Sequence, residues 1–456
     1  MNRLTIVILA AGQGTRMKSD LPKPLHRAAG KPLCEWAMMA SAPLTDKKPV
    51  LVVGNGEDLV RAHFGDRVEY AIQSERKGTG HAALMAKPFF KDSEGLVMII
   101  AGDMPLLTRE TLKNVYDAAS RDDVVGALLC AKVDDPTGYG RLVTNYEGYA
   151  SKIVEEKDAS ADVLKINKVN ASVYCIKAQP LLESLENLST DNAQGEYYLT
   201  DIVEMLSEKG ERIVPVLTDA AECIGVNDRK QLNDVSKILY GRKCDQMMAA
   251  GATLISPEST FVCWDATVEN DVTIYPNVMI QGPTVIKKGA TIFPNCRIKN
   301  SVICEGATVE QSVVIDTVVG KNTTVGPFAY LRPGSEIGEN CRIGDFVELK
   351  NSQIGDGTKV SHLTYIGDAE VGKNTNVGCG VVFVNYNGKD KFKTTVGDNC
   401  FIGCNTNLIA PVTLGNGVYT AAGSTITKDV PDDSLAIARS QQTIKQGWKK
   451  YRKDQP

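Results

Sequence analysis

The 456-residue chain lacks a dominant charge: 51 Lys and Arg stand against 55 Asp and Glu, a formal net charge of −4. A protein that grips nucleic acid through its phosphates carries a basic domain, so that class of partner is excluded. The chain also lacks any apolar run approaching the roughly 20 residues that a membrane-spanning helix needs. Its first apolar stretch, Leu4–Leu9, leads straight into a glycine-rich turn with no secretory cleavage region behind it. A cytoplasmic protein with no membrane partner is expected. Twelve cysteines are present but none forms Cys-x-x-Cys, and the closest pair, Cys400 and Cys404, is four apart. Scattered in this way they read as reduced thiols rather than a disulfide framework. Histidine is scarce as well: of four, only His362 lies in the second half. The length leaves room for two or three domains with real apolar cores.

What is present changes character near residue 229. Before it, short apolar runs (Leu4–Leu9, Val50–Val53, Leu96–Ile100, Val124–Cys130, Ser172–Ile176) alternate with amphipathic stretches (Lys31–Ala42, Gly80–Phe90, Thr108–Ala119). Buried strands alternating with helices predict an α/β domain around a mostly parallel sheet, with ligands at the carboxyl ends of strands. Residues 229–251 carry a helical pattern (Leu232, Val235, Ile238, Leu239, Met247, Met248) that ends at Gly251 and reads as a linker helix. The domains predicted are therefore 1–228, the linker 229–251, and 252–456.

In the last segment aliphatic residues fall every sixth position, from Val262, Val268 and Ile274 to Ile298. The count resumes at Ile303, Val309, Ile315, at Val319 through Leu349, at Ile354, Val360, Ile366, at Val371, Val377, Phe383, and at Val396 through Leu414. Neither helix nor strand sustains a period of six, whereas a solenoid of hexapeptide repeats does, each short strand placing one aliphatic inward. One polar, lysine-rich insertion (VNYNGKDKFKTT) interrupts the beat between Phe383 and Val396 and reads as a projecting loop, the kind of element that often carries function.

The turn after Leu4–Leu9 reads LAAGQGTRMKSDLPKPL. Its glycines let backbone N–H groups approach a ligand, and Arg16 and Lys23 downstream point to an anion. The dinucleotide fingerprint is not met, because Met17 stands at its third glycine position. Gly78 and Thr79 open a helix with free N–H groups. Asp103 ends a buried strand, where a carboxylate suits a divalent cation; capping of the helix near Thr108 is the alternative role. Asn227, at the close of the domain, could supply a second oxygen.

LAAGQGTRM…LPK, GTGHA, AGD, DPTGYGR, VEEKDA, NAQGEYYLTD and GVNDR together resemble the bacterial bifunctional N-acetylglucosamine-1-phosphate uridyltransferase and glucosamine-1-phosphate N-acetyltransferase family. The resemblance covers almost the whole chain in order. It implies a Rossmann-like nucleotidyltransferase domain followed by a left-handed parallel β-helix that trimerises. It implies UTP held by Leu9, Ala10, Ala11, Gly12, Gln73, Gly78 and Thr79, with Arg16 and Lys23 offsetting phosphate charge. Gly140, Glu155 and Asn170 would grip the N-acetyl sugar, and Asp103 and Asn227 would hold Mg²⁺. Ala101 stands where other members carry tyrosine.

In the solenoid, FAYLRPG, DFVELKN, KVSHLTYIGD, NVGCG and VNYNG resemble the acetyltransferase motifs of the same family. A coil of about eighteen residues would stack Arg332, Lys350 and a position near Asp368 into a basic patch suited to a sugar phosphate. The resemblance makes His362 the general base and Glu348 its supporting carboxylate. Arg332, Lys350, Tyr365 and Asn376 would bind glucosamine 1-phosphate, and Asn385 and Tyr386 would lie along both substrates. Ala422 and Arg439 would contact acetyl-CoA, as would Cys379 and Cys404, which stand where many relatives carry Ala or Ser. The backbone N–H of Cys379 would stabilise the oxyanion. The basic run at 445–453 fits either coenzyme A phosphates or a solvated tail. Two rival readings remain, a single-function nucleotidyltransferase with a merely oligomerising solenoid and a non-catalytic scaffold. His362 with Asn385-Tyr386 argues against the first, and Asp103 with Asn227 against the second.

Overall fold

The computed structural model describes residues 4–54 and 56–448. The chain divides into two compact units, one up to Leu239 and the other from Tyr240 onward. In the first, seven strands form a sheet in the order Ile213–Thr218, Gly126–Lys132, Lys168–Lys177, Leu96–Ala101, Leu4–Leu9, Val50–Val53, Glu69–Ile72. All neighbours are parallel except Lys168–Lys177, which runs antiparallel to both of its partners. A hairpin, Arg141–Thr144 with Ala150–Val154, joins the sheet through the Val169–Arg141 pair.

Period-two alternation splits the apolar side chains between two faces. Ile6, Ile8, Leu51, Met98 and Ile100 pack with Ala37, Leu112 and Val115. Val7, Val50, Val52, Val97 and Ile99 pack on the other side with Leu181, Ile202 and Leu206. The helix predicted over Gly80–Phe90 ends earlier, spanning Thr79–Met85 before a 3₁₀ turn at Lys87–Phe89. Pro88 explains the break, because proline disfavours a helical residue before it and offers no N–H. The helix Arg109–Ala119 is capped by Thr108, whose hydroxyl accepts from the Thr111 N–H at 3.2 Å. The capping role considered for Asp103 is therefore filled by another residue.

Arg229–Ala249 is one helix. Val235, Leu239 and Met247 are buried on it, while Met248 is exposed. Beyond it lies a parallel β-helix whose short strands pair with those of the next coil: Thr273–Ile274 with Thr291–Ile292, Met279–Gln281 with Arg297–Lys299, and so on to Tyr419–Thr420 with Leu435–Ala436. The hexad aliphatics line its interior, Ile274, Ile280, Ile286, Ile292 and Ile298 each being fully enclosed. One position departs from the count. Val314, not Ile315, points inward, since Val314 pairs with Ile298 and Ile315 with Lys299. The coil there is contracted to a step of 16 positions, the same step that separates the hydrogen-bonded Asn300 and Asp316, so the inward beat falls early. The corners use residues that tolerate a left-handed backbone, notably Asn277 (φ 61°), Asn295 (φ 62°), Asn322 (φ 55°) and Asn340 (φ 55°). No helix among the described residues is long and apolar enough to cross a membrane.

Candidate functional site

In the first unit a cavity of about 350 Å³ opens at the carboxyl ends of Leu4–Leu9 and Leu96–Ala101. Leu9, Ala10, Ala11 and Gly12 form one wall, Gln73, Gly78 and Thr79 a second, and Lys23, Asp103, Glu155 and Asn170 also line it. The two strand ends meet closely: Gly102 N–H donates to Leu9 O at 2.9 Å, and a Cβ on Gly102 would stand 2.8 Å from that oxygen. A side chain there would push Asp103 away from the turn. Gly12, by contrast, faces open space, and a Cβ added to it would meet nothing within 4 Å.

Gln73 is buried, and its amide donates to Gly78 O at 3.0 Å and lies 3.1 Å from His81 Nδ1. Burial, then the Lys77 charge, holds His81 below its ordinary value, which favours a neutral ring that accepts from the amide. The amide is thus held in a fixed orientation. Glu155 accepts from Thr200 Oγ1 at 3.1 Å, and burial pushes its carboxyl upward. Gly140 sits behind it, where a Cβ would come 2.9 Å from Ile153 and 3.6 Å from either Glu155 oxygen. Asn170 donates to the Tyr174 hydroxyl at 2.7 Å.

Lys23 Nζ bonds to Asp103 Oδ2 and, at 2.9 Å, to Asn227 Oδ1. Two oxygens from residues far apart in the sequence, Asp103 and Asn227, therefore converge on one positive charge. The ammonium marks a position where a divalent cation with hard-oxygen preference fits this donor pair. Three predicted residues stand outside the cavity lining: Arg16, exposed on a 3₁₀ turn, Gly140, and Asn227. Among the residues that line it without having been predicted are Arg76, Glu196 and Thr200. Arg76 lay in plain view within QSERKGTGHA, shortly after Gln73. Thr200 lies within the motif NAQGEYYLTD, but its role there shows only through its contact with Glu155, 45 residues away.

In the β-helix, His362 Nδ1 lies 2.7 Å from Asp345 Oδ1 on a ring about half exposed. Within one chain this differs from the expectation that Glu348 contacts the ring. Asp345 is the register partner of His362, whereas Glu348 pairs with Tyr365 and its carboxylate accepts from Arg332 Nη1 at 2.7 Å. The physical reason is coil length. This coil advances by 17 positions, which places Asp345 on the column of His362. The same shift puts Gly367, not Asp368, over Lys350. Asp368 nevertheless reaches Lys350 at 3.6 Å and accepts from Asn351 at 2.7 Å and from Asn385. Burial raises the Asp368 carboxyl, but these hydrogen bonds and the lysine charge outweigh it and leave it below the usual range.

Tyr365 and Asn385 crowd the same spot, since a Cβ on Gly367 would fall 2.3 Å from the Tyr365 hydroxyl and 2.8 Å from the Asn385 amide. Arg332, Lys350, Tyr365 and Asn385 are thus brought together. The insertion adds Lys391, whose ammonium is held below its ordinary range by the close approach and like charge of Lys350. Tyr386 is exposed, its hydroxyl donating to Gly388 O at 2.6 Å. Asn376 pairs with Lys359 and Phe401 on a different strand of the coil from Lys350, so one chain does not bring it to this group. Cys379 and Cys404 are exposed, and Arg439 Nη1 donates to Ala422 O at 3.0 Å. The basic run at 445–453 extends past Trp448, and from residue 449 on it lies outside the described residues.

Comparison with known proteins agrees with this division. The MobA-like NTP transferase domain matches residues 6–197, the bacterial transferase hexapeptide (six repeats) matches 316–351 and 393–428, and the GMPPB C-terminal domain matches 262–333. The curated Bifunctional protein GlmU of Clostridium acetobutylicum is 49% identical over 445 residues, 97% of each chain. That of Clostridium botulinum is 49% identical over 443 residues, again 97% of each chain. That of Acetivibrio thermocellus is 46% identical over 449 residues, 98% of this chain and 97% of the relative. Identity of this order along nearly the full length, with a nucleotidyltransferase unit preceding a hexapeptide β-helix, places the chain in the bifunctional GlmU family.

Proposed function

We propose that the chain catalyses two consecutive steps, each in its own unit: acetyl transfer from acetyl-CoA to glucosamine 1-phosphate, then uridyl transfer from UTP to the N-acetylglucosamine 1-phosphate formed. The observation that carries the two-site reading is the His362–Asp345 contact of 2.7 Å, on a β-helix that also carries the cationic Arg332 and Lys350. A purely oligomerising coil has no need of an oriented imidazole and a cationic patch. The functional domains are 1–228 and 252–456, with the helix between them as linker.

In the acetyl-transfer step, the carboxylate of Asp345 holds the proton on Nδ1, leaving Nε2 to take one from the substrate ammonium. The freed amine attacks the thioester, and the Cys379 N–H stabilises the oxyanion. Arg332 and Lys350 hold the phosphate while Tyr365 and Asn385 orient the sugar. Asn376 stands apart from this group within one chain, which supports a site completed by a second copy and an assembly as homotrimer. The exposed, stacked Phe328 and Phe346, with ring centroids 5.5 Å apart, support self-association.

In the uridyl-transfer step, the backbone of Leu9–Gly12 and the fixed Gln73 amide hold the nucleotide, and Glu155, Asn170 and Gly140 seat the N-acetyl sugar. No protein nucleophile is needed, since the sugar phosphate attacks the α-phosphorus and pyrophosphate leaves. Arg16 and Lys23 offset the charge that builds on the departing phosphates. Asp103 and Asn227 would hold Mg²⁺, which when bound neutralises phosphate charge. The compartment is the cytoplasm, where these substrates are soluble. Coenzyme A release with acetyl-CoA and glucosamine 1-phosphate, and pyrophosphate release with UTP and N-acetylglucosamine 1-phosphate, test the two halves. Loss of the first alone in His362→Ala, and of the second alone in Asp103→Asn, is the expected pattern. Acetyl transfer that needs neither His362 nor the β-helix overturns the reading.

A further inference from the structure

We propose that Cys379 and Cys404 form a dithiol that closes reversibly to a disulfide across adjacent coils and thereby shuts the acetyl-transfer face. Nine of the twelve cysteines are buried and Cys304 is partly so, leaving these two exposed among the described residues. The lysine-rich insertion lengthens this coil to a step of 25 positions, the step between the hydrogen-bonded Thr375 and Cys400, and that separation conceals how the two residues fall in register. Asn376 and Val377 pair with Phe401 and Ile402, Gly378 N–H donates to Ile402 O at 2.8 Å, and Asn405 N–H donates to Cys379 O at 2.8 Å. Cys379 and Cys404 therefore occupy the same corner of successive coils.

Neighbouring strands lie about 4.8 Å apart, inside the Cα separation of about 4.4–6.8 Å that a disulfide spans. The coils meet without slack here, since a Cβ on Gly378 would stand 2.7 Å from Cys404 N and 3.0 Å from its Cα. The column continues downward through His362 and Asp345, because Tyr365 pairs with Val382 and His362 with Asp345. In that lower pair, corner side chains one coil apart already touch at 2.7 Å. Side chains of this column do reach one another.

With glutathione disulfide as oxidant, one thiolate attacks an oxidant sulfur, forms a mixed disulfide and releases one glutathione thiol. The other thiolate then displaces the second glutathione. Two protein S–H bonds are lost, one S–S bond forms, and the oxidant's S–S bond is reduced to two thiols. The closed bridge would lie directly above His362, so the gating rests on the acetyl-transfer reading, whereas the bridge itself does not.

The full chain is incubated with glutathione disulfide, alkylated, digested and mapped by mass spectrometry. A cross-link between the Cys379 and Cys404 peptides, with loss of two hydrogens and reversal by dithiothreitol, is expected. Cys404→Ser should instead hold glutathione on Cys379. Wild-type protein that accumulates the mixed disulfide to the same extent as this variant, or that cross-links between chains, overturns the proposal. Acetyl transfer should be lost in proportion to the cross-link while uridyl transfer stays constant. A fully cross-linked protein that acetylates at its reduced rate overturns the gating. Failure of the acetyl-transfer reading shows separately, as no acetyl transfer even when reduced.

Discussion

Replacing His362, Asp345 and Glu348 one at a time separates the base from its support. The imidazole is held through Nδ1 by Asp345 at 2.7 Å, whereas Glu348 is engaged by Arg332, also at 2.7 Å. General-base catalysis contributes about 10²- to 10⁴-fold, so His362→Ala should lower kcat for acetyl transfer by that factor, about 3 to 5 kcal/mol of barrier. Asp345→Asn keeps the shape but removes the charge that stabilises the imidazolium. At this exposed position the loss is about tenfold, because solvent screens the pair. Glu348→Gln frees Arg332 from a surface ion pair worth under about 1 kcal/mol, so it should move KM for glucosamine 1-phosphate and leave kcat within about threefold.

The assay is steady-state coenzyme A release, with pyrophosphate release from the uridyl reaction measured on the same preparations as a folding control. The uridyl site is built from residues of the other unit, so its rate should hold in all three variants. Two results refute the reasoning. If Glu348→Gln loses as much kcat as His362→Ala while Asp345→Asn is neutral, Glu348 supports the base and the Asp345 contact is incidental. If His362→Ala acetylates within a fewfold of wild type, the base lies elsewhere.

Asp103→Asn removes the carboxylate at the point where Lys23 and Asn227 meet, and uridyl transfer should fall about 10²-fold or more while acetyl transfer holds. A Mg²⁺ titration should show a raised midpoint, and an unchanged midpoint removes Asp103 from the cation site. Gly12→Ala adds a methyl group that meets no protein atom within 4 Å. Stability by chemical denaturation should change by less than about 0.5 kcal/mol, while KM for UTP rises; an unchanged KM would place the nucleotide elsewhere. Burial, then Glu204 and Glu155, push Asp201 up to about 6. A carboxyl that ionises later in the folded chain than in the unfolded one gives stability present below about pH 4 and lost as the pH rises through about 6. Asp201 is half exposed, so after solvent screening Asp201→Asn should stabilise the protein by roughly 1 kcal/mol at about pH 8 and by nothing near pH 4. A pH-independent difference would contradict this.

The solenoid was legible because a period of six belongs to no helix or strand, and nearly every aliphatic it marked is enclosed. The exception teaches more than the matches. Ile315 satisfies the spacing from Val309, yet Val314 turns inward because its coil is contracted to a step of 16 positions. An aliphatic at both positions hides the slip from anyone counting hydrophobics. In the α/β unit the strands were visible as apolar runs, but the antiparallel course of Lys168–Lys177 was not, since direction leaves no trace in composition.

The sites divide along the same line. Residues set by local backbone, such as Gly12, Gly78 and Asp103 at a strand end, announce themselves through glycine and position. Residues defined by a distant contact do not. Arg229 donates through Nε to Met17 O at 3.2 Å and through Nη1 lies 3.3 Å from His26 Nδ1, tying the start of the Arg229–Ala249 helix to the nucleotide turn. Nothing near Arg229 in the sequence foretells either bond. In the β-helix the governing quantity is coil length: a step of 17 from Asp345 to His362, the same step again to Cys379, and a step of 25 to Cys404. A uniform coil of eighteen would have set His362 over Gly344, which has no side chain to orient the ring. The contraction by a single position is what brings a carboxylate beneath the imidazole. The chemistry of this face therefore depends on where the repeat fails to be regular, and sequence periodicity by itself cannot supply that.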